Sequence, residues 1–519
     1  MWLVAGFGVC AIVSSVGWLA TTSPPPGVQP RSRRAADAPP PTTTFLRDAA
    51  AWRIPIETRT LPNGLRVVVS EDRRAPLVTV NVVYGVGSRA EPPGRSGFAH
   101  FFEHLMFDGS SRTHAQNIHQ LAGTFHGVTR RDYTSYLDAV PVEALDEILA
   151  IEARRMRTLT LTPAHVRRQR EIVGEEFRQN VDNQPHGGLE WSAIHGLVFS
   201  RWPNAHPSLG THADLDAVTA AEAERFHLDW YGPNNAVLVV AGAVTAGEVM
   251  TCAAAHFGAI APRPTPAWPD ASEPSVDGDA LTGRHKVVRD ALAERPAMAI
   301  GWAMPPEDSI DYRALVLAES LLLRDPALLA SALARVDPAA AVRGGIHPLG
   351  LPYDVTAPTP FVLRVDHRRA EDGARLLQAV DEVMRRVAAE ATEEDLVRAK
   401  TAFARWWLDE IDGGRPPFVS RTRLLGFYGL RDRAPDVNLL LTDTLATPLA
   451  AVRAAVGRWW TPARRHTLES HPAALSLPPP DPTATPDPTT TPAPMTAPKT
   501  APKTNREMDA EEILAEAQS

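Results

Sequence analysis

Hydrophobic and polar positions in this chain recur with two periods, and the two kinds of segment follow each other in blocks. Residues 56–70, "IETRTLPNGLRVVVS", read as two strands about Asn63-Gly64, a dipeptide that suits a tight hairpin turn. Residues 77–84, "LVTVNVVY", are β-branched and almost unbroken in hydrophobicity, the pattern of a third strand. A helical period then appears over about 96–107, 113–122, 142–157 and 163–180. "NNAVLVVAGAV" at 234–244 reads as another buried strand, and 245–257 returns to helix. A Pro-rich stretch, 258–275, predicts a linker. Beyond it the plan repeats more loosely. "RHKVVRD" and "AMAIGWAM" predict strands, and 309–323, 370–390 and 394–412 predict helices. The fold class expected is α+β, in two halves of roughly 200 residues each. No short-period repeat is visible.

The ends of the chain follow neither period. Residues 1–23 carry no charged side chain, and the first in the chain is Arg31. Their length suits a secretory signal or a membrane anchor, and export out of the cytoplasm is the expectation, with an uncleaved anchor as the alternative. From Leu477 the sequence is Pro/Thr-rich with little to bury, which predicts a disordered tail. The expected organisation is therefore a leading segment and linker to residue 50 and a first domain over 51–257. The linker, a second domain over 276–472 and a tail over 473–519 follow.

Composition narrows the function classes. A net charge of −8 over 519 residues gives no basic footprint for nucleic acid. Two cysteines, Cys10 and Cys252, cannot build a disulfide framework, so packed cores must stabilise the chain.

The chemistry is concentrated in "GRSGFAHFFEHLMFDGS", residues 94–110. On a helix His100 and His104 share one face, and Glu103 lies one turn from His100. Ser96 is placed to cap this helix and Gly109 to end it. Two neutral imidazoles at this spacing suit one Zn²⁺ ion, and Glu103 would serve as general base for an activated water. A catalytic zinc takes three protein ligands. The third is sought in "RRQREIVGEEFRQNVDNQP", residues 167–185, on a helix opened by Thr162-Pro163. There Ile172, Val173, Glu176 and Asn180 form one stripe, whereas Glu175 turns toward Arg168, Glu171 and Arg178. A carboxylate on an inward stripe needs a positive partner. Glu176 is accordingly chosen over Glu175.

With those residues in view, "PLVTVNVVYGVGSRAEPPGRSGFAHFFEHLMFDGS" resembles the inverted-motif zinc metallopeptidases of the pitrilysin/insulinase type. The resemblance is closest to the two-domain branch that includes mitochondrial processing peptidase. "QREIVGEEFRQNVDNQP", "HPSLGTHADLDAV" and "WYGPNNAVLVVAGAV" extend the likeness in the same order, over about residues 56–470. The resemblance implies His100, His104 and Glu176 as ligands of one zinc ion and Glu103 as general base. It also implies two related α/β-sandwich halves, each a sheet packed with helices, enclosing a chamber for extended peptides. Some two-domain relatives act as heterodimers, which makes a homo- or heterodimer with a related chain the expected partner.

Three departures stand out. Where the family carries an Asn that binds substrate backbone, this chain has His126. Where an acidic residue usually stands seven before the glutamate ligand, it has Gln169, an amide that would orient ligands less strongly. The family's substrate-gripping Arg and Tyr, with six residues between them, correspond to Ile346 and Tyr353 in "VRGGIHPLGLPYDVTA", with Arg343 three residues out of register. Tyr353 is expected in a strand, either touching substrate or simply packing there. The function expected is a zinc metalloendopeptidase acting on peptides or unfolded segments. A non-catalytic structural or assembly subunit, and a metal-binding module without hydrolytic activity, are the alternatives.

Overall fold

The turn at Asn63-Gly64 joins the first two strands, β1 (Glu57–Thr60) and β2 (Arg66–Glu71), with Gly64 at φ 87°. The computed structural model describes residues 42–108, 113–273, 282–324, 328–413 and 418–473. The apolar segment 1–23, Gly109 and the Pro/Thr-rich tail lie outside these. Among the described residues no single helix is long and apolar enough to cross a membrane. Residues 42–50, assigned above to a leading linker, begin a helix, α1 (Thr42–Ala51). It is followed by Ile54, whose backbone N–H donates to Asn438 Oδ1 at 2.9 Å in the second half.

The first half is built on six strands in the order β1-β2-β6-β3-β5-β4. The remaining four are β3 (Leu77–Tyr84), β4 (Thr124–Thr129), β5 (Thr134–Pro141) and β6 (Ala236–Gly242). Only β2 and β6 run parallel; β4 is an edge strand. The second half has five strands in the order β7-β11-β8-β10-β9. These are β7 (His285–Asp290), β8 (Ala297–Ala303), β9 (Ala341–Ile346), β10 (Pro360–Asp366) and β11 (His466–Pro472). Each is a sheet layered with helices, giving the two α/β-sandwich halves expected.

Each half covers a face of the other's sheet. Successive strand side chains point to opposite faces. Val67, Val69 and Val82 therefore enter the first half's own core, while Val68, Val83 and Val239 enter a core shared with the second half. The second half supplies the helix Val419–Gly429, in which Gly426 and Gly429 lie close to Val83 and Val237 of the first sheet. In exchange, Leu189, Ile194 and Val198 of the first half pack on Ala297, Ala299 and Val362 of the second sheet. Burial on both faces explains the near-continuous hydrophobic runs of β2, β3 and β6.

Candidate metal centre

The helix α2 (Phe98–Asp108) is buried on nearly every side. Phe101, Phe102 and Leu105 anchor it in the first half's core, which fixes the rotation that presents its polar residues. Its start is held by Glu91 rather than by Ser96. The Glu91 carboxylate accepts from the N–H groups of Gly97 (2.8 Å) and Ala99 (2.7 Å), as an acceptor at a helix N-terminus should. The Ser96 hydroxyl is instead engaged by Asp214. Gly97, at φ 80°, lies so close to Gly210 that a Cβ would come 2.7 Å from its Cα.

The other helix of the site is α3 (Pro163–Phe177), capped by the Thr162 hydroxyl and continued by a π-helical turn, Arg178–Asp182. Its buried residues are Val166, Gln169, Val173 and Glu176. Val173 and Glu176 of the stripe expected above are thus buried, but Ile172 is 43% exposed and Asn180 only part-buried. Glu175 faces outward and bonds Arg178 and Gln179. Glu176 faces inward.

His100 Nε2 and His104 Nε2 lie 3.3 Å apart, and Glu176 Oε2 lies 3.3 Å from the latter and 3.6 Å from the former. Ligands about 2.0–2.1 Å from a tetrahedral zinc are separated by roughly 3.3–3.4 Å, so this triangle fits one such ion. All three side chains are buried. Two imidazole nitrogens and a carboxylate oxygen brought this close together are a donor set suited to a cation. Burial, opposed by Glu176, holds His100 below the ordinary imidazole range, and the neutral ring is the form that binds metal. For Glu176, burial works against the charge, but the two imidazoles more than offset it and keep the carboxyl below its usual range. This is one candidate zinc-binding site per chain.

Glu103, 1% exposed, projects beside it toward the edge strand β4. The Thr129 hydroxyl donates to Glu103 Oε2 at 2.6 Å. Gly127 passes directly over the carboxylate: a Cβ there would sit 2.9 Å from Glu103 Cδ and closer still to Oε1. Neither contact was legible in the sequence, because both depend on where β4 crosses α2.

The other residues singled out from the sequence fall in different places. His126 is on β4, half-buried, with Glu103, Arg130 and Arg423 as its charged neighbours; burial pushes its imidazole below the ordinary range. The Gln169 amide donates to Asp108 Oδ2 at 3.0 Å, a carboxylate that Arg168 also binds. A carboxylate at 169 would repel Asp108, so the amide suits this chain. Tyr353 lies in a turn between β9 and β10, not in a strand. It is 1% exposed, and its hydroxyl and the Thr444 hydroxyl are 2.6 Å apart within the second half. Ile346 ends β9, and Arg343 is held by Glu190 (3.1 Å) and Asp366 (3.2 Å). A second buried group, His114, Asp138 and Glu152, already contains a cation, the Arg155 guanidinium 2.6 Å from Glu152.

Comparison with known proteins agrees with this arrangement. Residues 66–194 match the family described as Insulinase (Peptidase family M16), and residues 217–403 match Peptidase M16 inactive domain. The chain is 31% identical over 273 residues to the zinc protease PqqE of Helicobacter pylori, covering 51% of this chain and 60% of that protein. The crystal structure of a protease from H. pylori superposes with a TM-score of 0.71 at 23% identity, covering 81% of this chain and 100% of that one. The periplasmic protease PqqL from Escherichia coli superposes with a TM-score of 0.60 at 18% identity, covering 80% of this chain and 47% of that one.

Proposed function

The chain has the insulinase-family (M16) zinc-peptidase fold with a second, inactive-type domain, and from this premise we propose that it is a zinc metalloendopeptidase of unstructured peptides. The observation that carries the proposal is the triangle of His100, His104 and Glu176 with Glu103 at its side.

His100, His104 and Glu176 would hold the ion. Zinc bound there supplies Lewis-acid polarisation of a peptide carbonyl and acidifies water. Glu103 takes the proton of the attacking water and delivers it to the departing amine. Thr129 fixes one carboxylate oxygen through its hydroxyl, so the pair rotates little between the two transfers. Gly127 leaves the room the carboxylate needs. The free edge of β4 is available to an extended peptide through backbone hydrogen bonds, which favours unfolded segments. His126 on that strand takes the place of a backbone-binding Asn.

A second, related chain is the partner we propose, on the two-domain pattern of the processing peptidases. Ile346 offers no charge, Arg343 is engaged by two carboxylates, and Tyr353 is bonded inside its own half. An extracytoplasmic place of action, by export or anchoring, is supported by the apolar residues 1–23 and by the likeness to a periplasmic protease.

Zinc-loaded chain incubated with unstructured peptides should cleave them, and a chelator should stop it. Cleavage that survives full metal removal sinks the proposal. Turnover of order 1 per second or faster by the isolated chain removes the need for a partner. Substitution of the two adjacent glutamates separates their roles. Glu176→Ala should strip most of the zinc, while Glu175→Ala, on the exposed face, should leave metal content near that of the parent. Equal losses by metal analysis would reverse the choice of ligand.

A further inference from the structure

Arg130 opens the turn between β4 and β5, and its neighbours there all have partners. Arg131 donates to the carbonyls of Pro203 (3.3 Å) and His206 (3.4 Å). Asp132 accepts from Arg89 and from the Thr356 N–H and hydroxyl, both at 2.8 Å. The Tyr133 hydroxyl donates to Asp354 at 3.0 Å. Arg130 is different. It is 5% exposed, yet its guanidinium makes a single long hydrogen bond, 3.5 Å to the Thr129 carbonyl, and its Nε has no partner.

The backbone holds it there. Arg130 N–H donates to Tyr133 O at 2.8 Å, and its carbonyl accepts from Ser88 N–H at 3.0 Å. The charged groups around it are Arg423 from the helix Val419–Gly429, Asp354 from the β9–β10 connection and Glu103 from α2. Asp354 is a neighbour of both guanidiniums. It is already ion-paired with the Arg423 guanidinium (3.1 Å) and accepts from the Tyr133 hydroxyl and from Leu351 N–H (2.9 Å). Glu103 is bonded by Thr129, and its charge, with that of Glu176, answers the ion that the site is built for. A buried cation that hydrogen-bonds no carboxylate is costly, and a carboxylate entering from outside would relieve it.

We propose that Arg130 is a specificity-determining residue that receives a carboxylate of the bound peptide, from an acidic side chain or a free C-terminus, beside Glu103. The proposal rests on the peptidase reading above. A guanidinium grips a carboxylate with paired hydrogen bonds, so a matched amide cannot substitute. His126, on the same strand, has Arg130 among its charged neighbours.

The test is a binding measurement that does not depend on turnover. Full-length, zinc-loaded Glu103→Gln protein is titrated with labelled peptides in two matched series. One series exchanges Glu for Gln at successive positions, and the other exchanges a free C-terminal carboxylate for the amide. One carboxylate should improve the Kd about tenfold or more, and the series in which this occurs identifies its source. Arg130→Gln should erase that difference, and Arg130→Lys should restore part of it. Equal affinity within both series in the Glu103→Gln parent overturns the proposal without any Arg130 variant. A preference that survives Arg130→Gln in zinc-loaded protein of parental melting temperature overturns it too. Failure of the native chain to cleave any peptide would remove the peptidase reading, while this comparison would still report the carboxylate contact.

Discussion

Glu103→Gln is expected to keep its zinc and lose turnover by at least ~10²-fold, the scale of a positioned acid–base group. The substitution preserves shape and removes only the basic oxygen pair. The three atoms that form the metal triangle belong to other residues, so occupancy should not change. The Thr129 hydroxyl can still donate to the amide oxygen, which keeps the side chain in place. Metal content and kinetics on one preparation decide the matter. Turnover near that of the parent would end the assignment of Glu103 as base, and loss of zinc would place it among the ligands.

An effect of similar size is expected from a residue with no side chain. Gly127→Ala puts a methyl group where β4 crosses α2, within van der Waals overlap of the Glu103 carboxylate and 2.7 Å from a Phe107 ring carbon. Phe107 is wedged among His114, Phe125 and Tyr136 and has little freedom to withdraw. The carboxylate must therefore move, and a displacement of about 1 Å at a reacting group costs on the order of 10²-fold. Zinc content should stay near parental, because the atoms nearest the added methyl belong to Glu103 and Phe107 and not to the three ligands. Gly127→Ala with parental kcat would mean that β4 yields instead.

The metal centre was legible because its parts are local. His100, Glu103 and His104 occupy consecutive turns of one helix, and Glu176 declared itself by a carboxylate on an inward face. Even there the periodicity misplaced Ile172, since α3 buries only a narrow strip, Val166, Gln169, Val173 and Glu176. The strands β2, β3 and β6 were legible for the same local reason. Other features were not. The helix Val419–Gly429 is buried on all sides, so it has no amphipathic period, and its buried Arg421 and Arg423 look like surface residues in a string of letters. Glu91 as the cap of α2 is a contact across a loop. Tyr353 sits in a turn whose conformation is set by Asp354 receiving Leu351 N–H, Tyr133 and Arg423, partners drawn from both halves.

The mutual covering of the two sheets bears on how such a protein can be divided. Were the polypeptide severed between the halves, each fragment would carry an apolar sheet face that its own residues do not roof. Neither piece would be an independent domain; each would act as the other's missing layer and would aggregate or reassemble. Gene fission in this architecture therefore yields obligate pairs rather than two autonomous proteins. The same interlock opposes wholesale opening of the chain about a hinge.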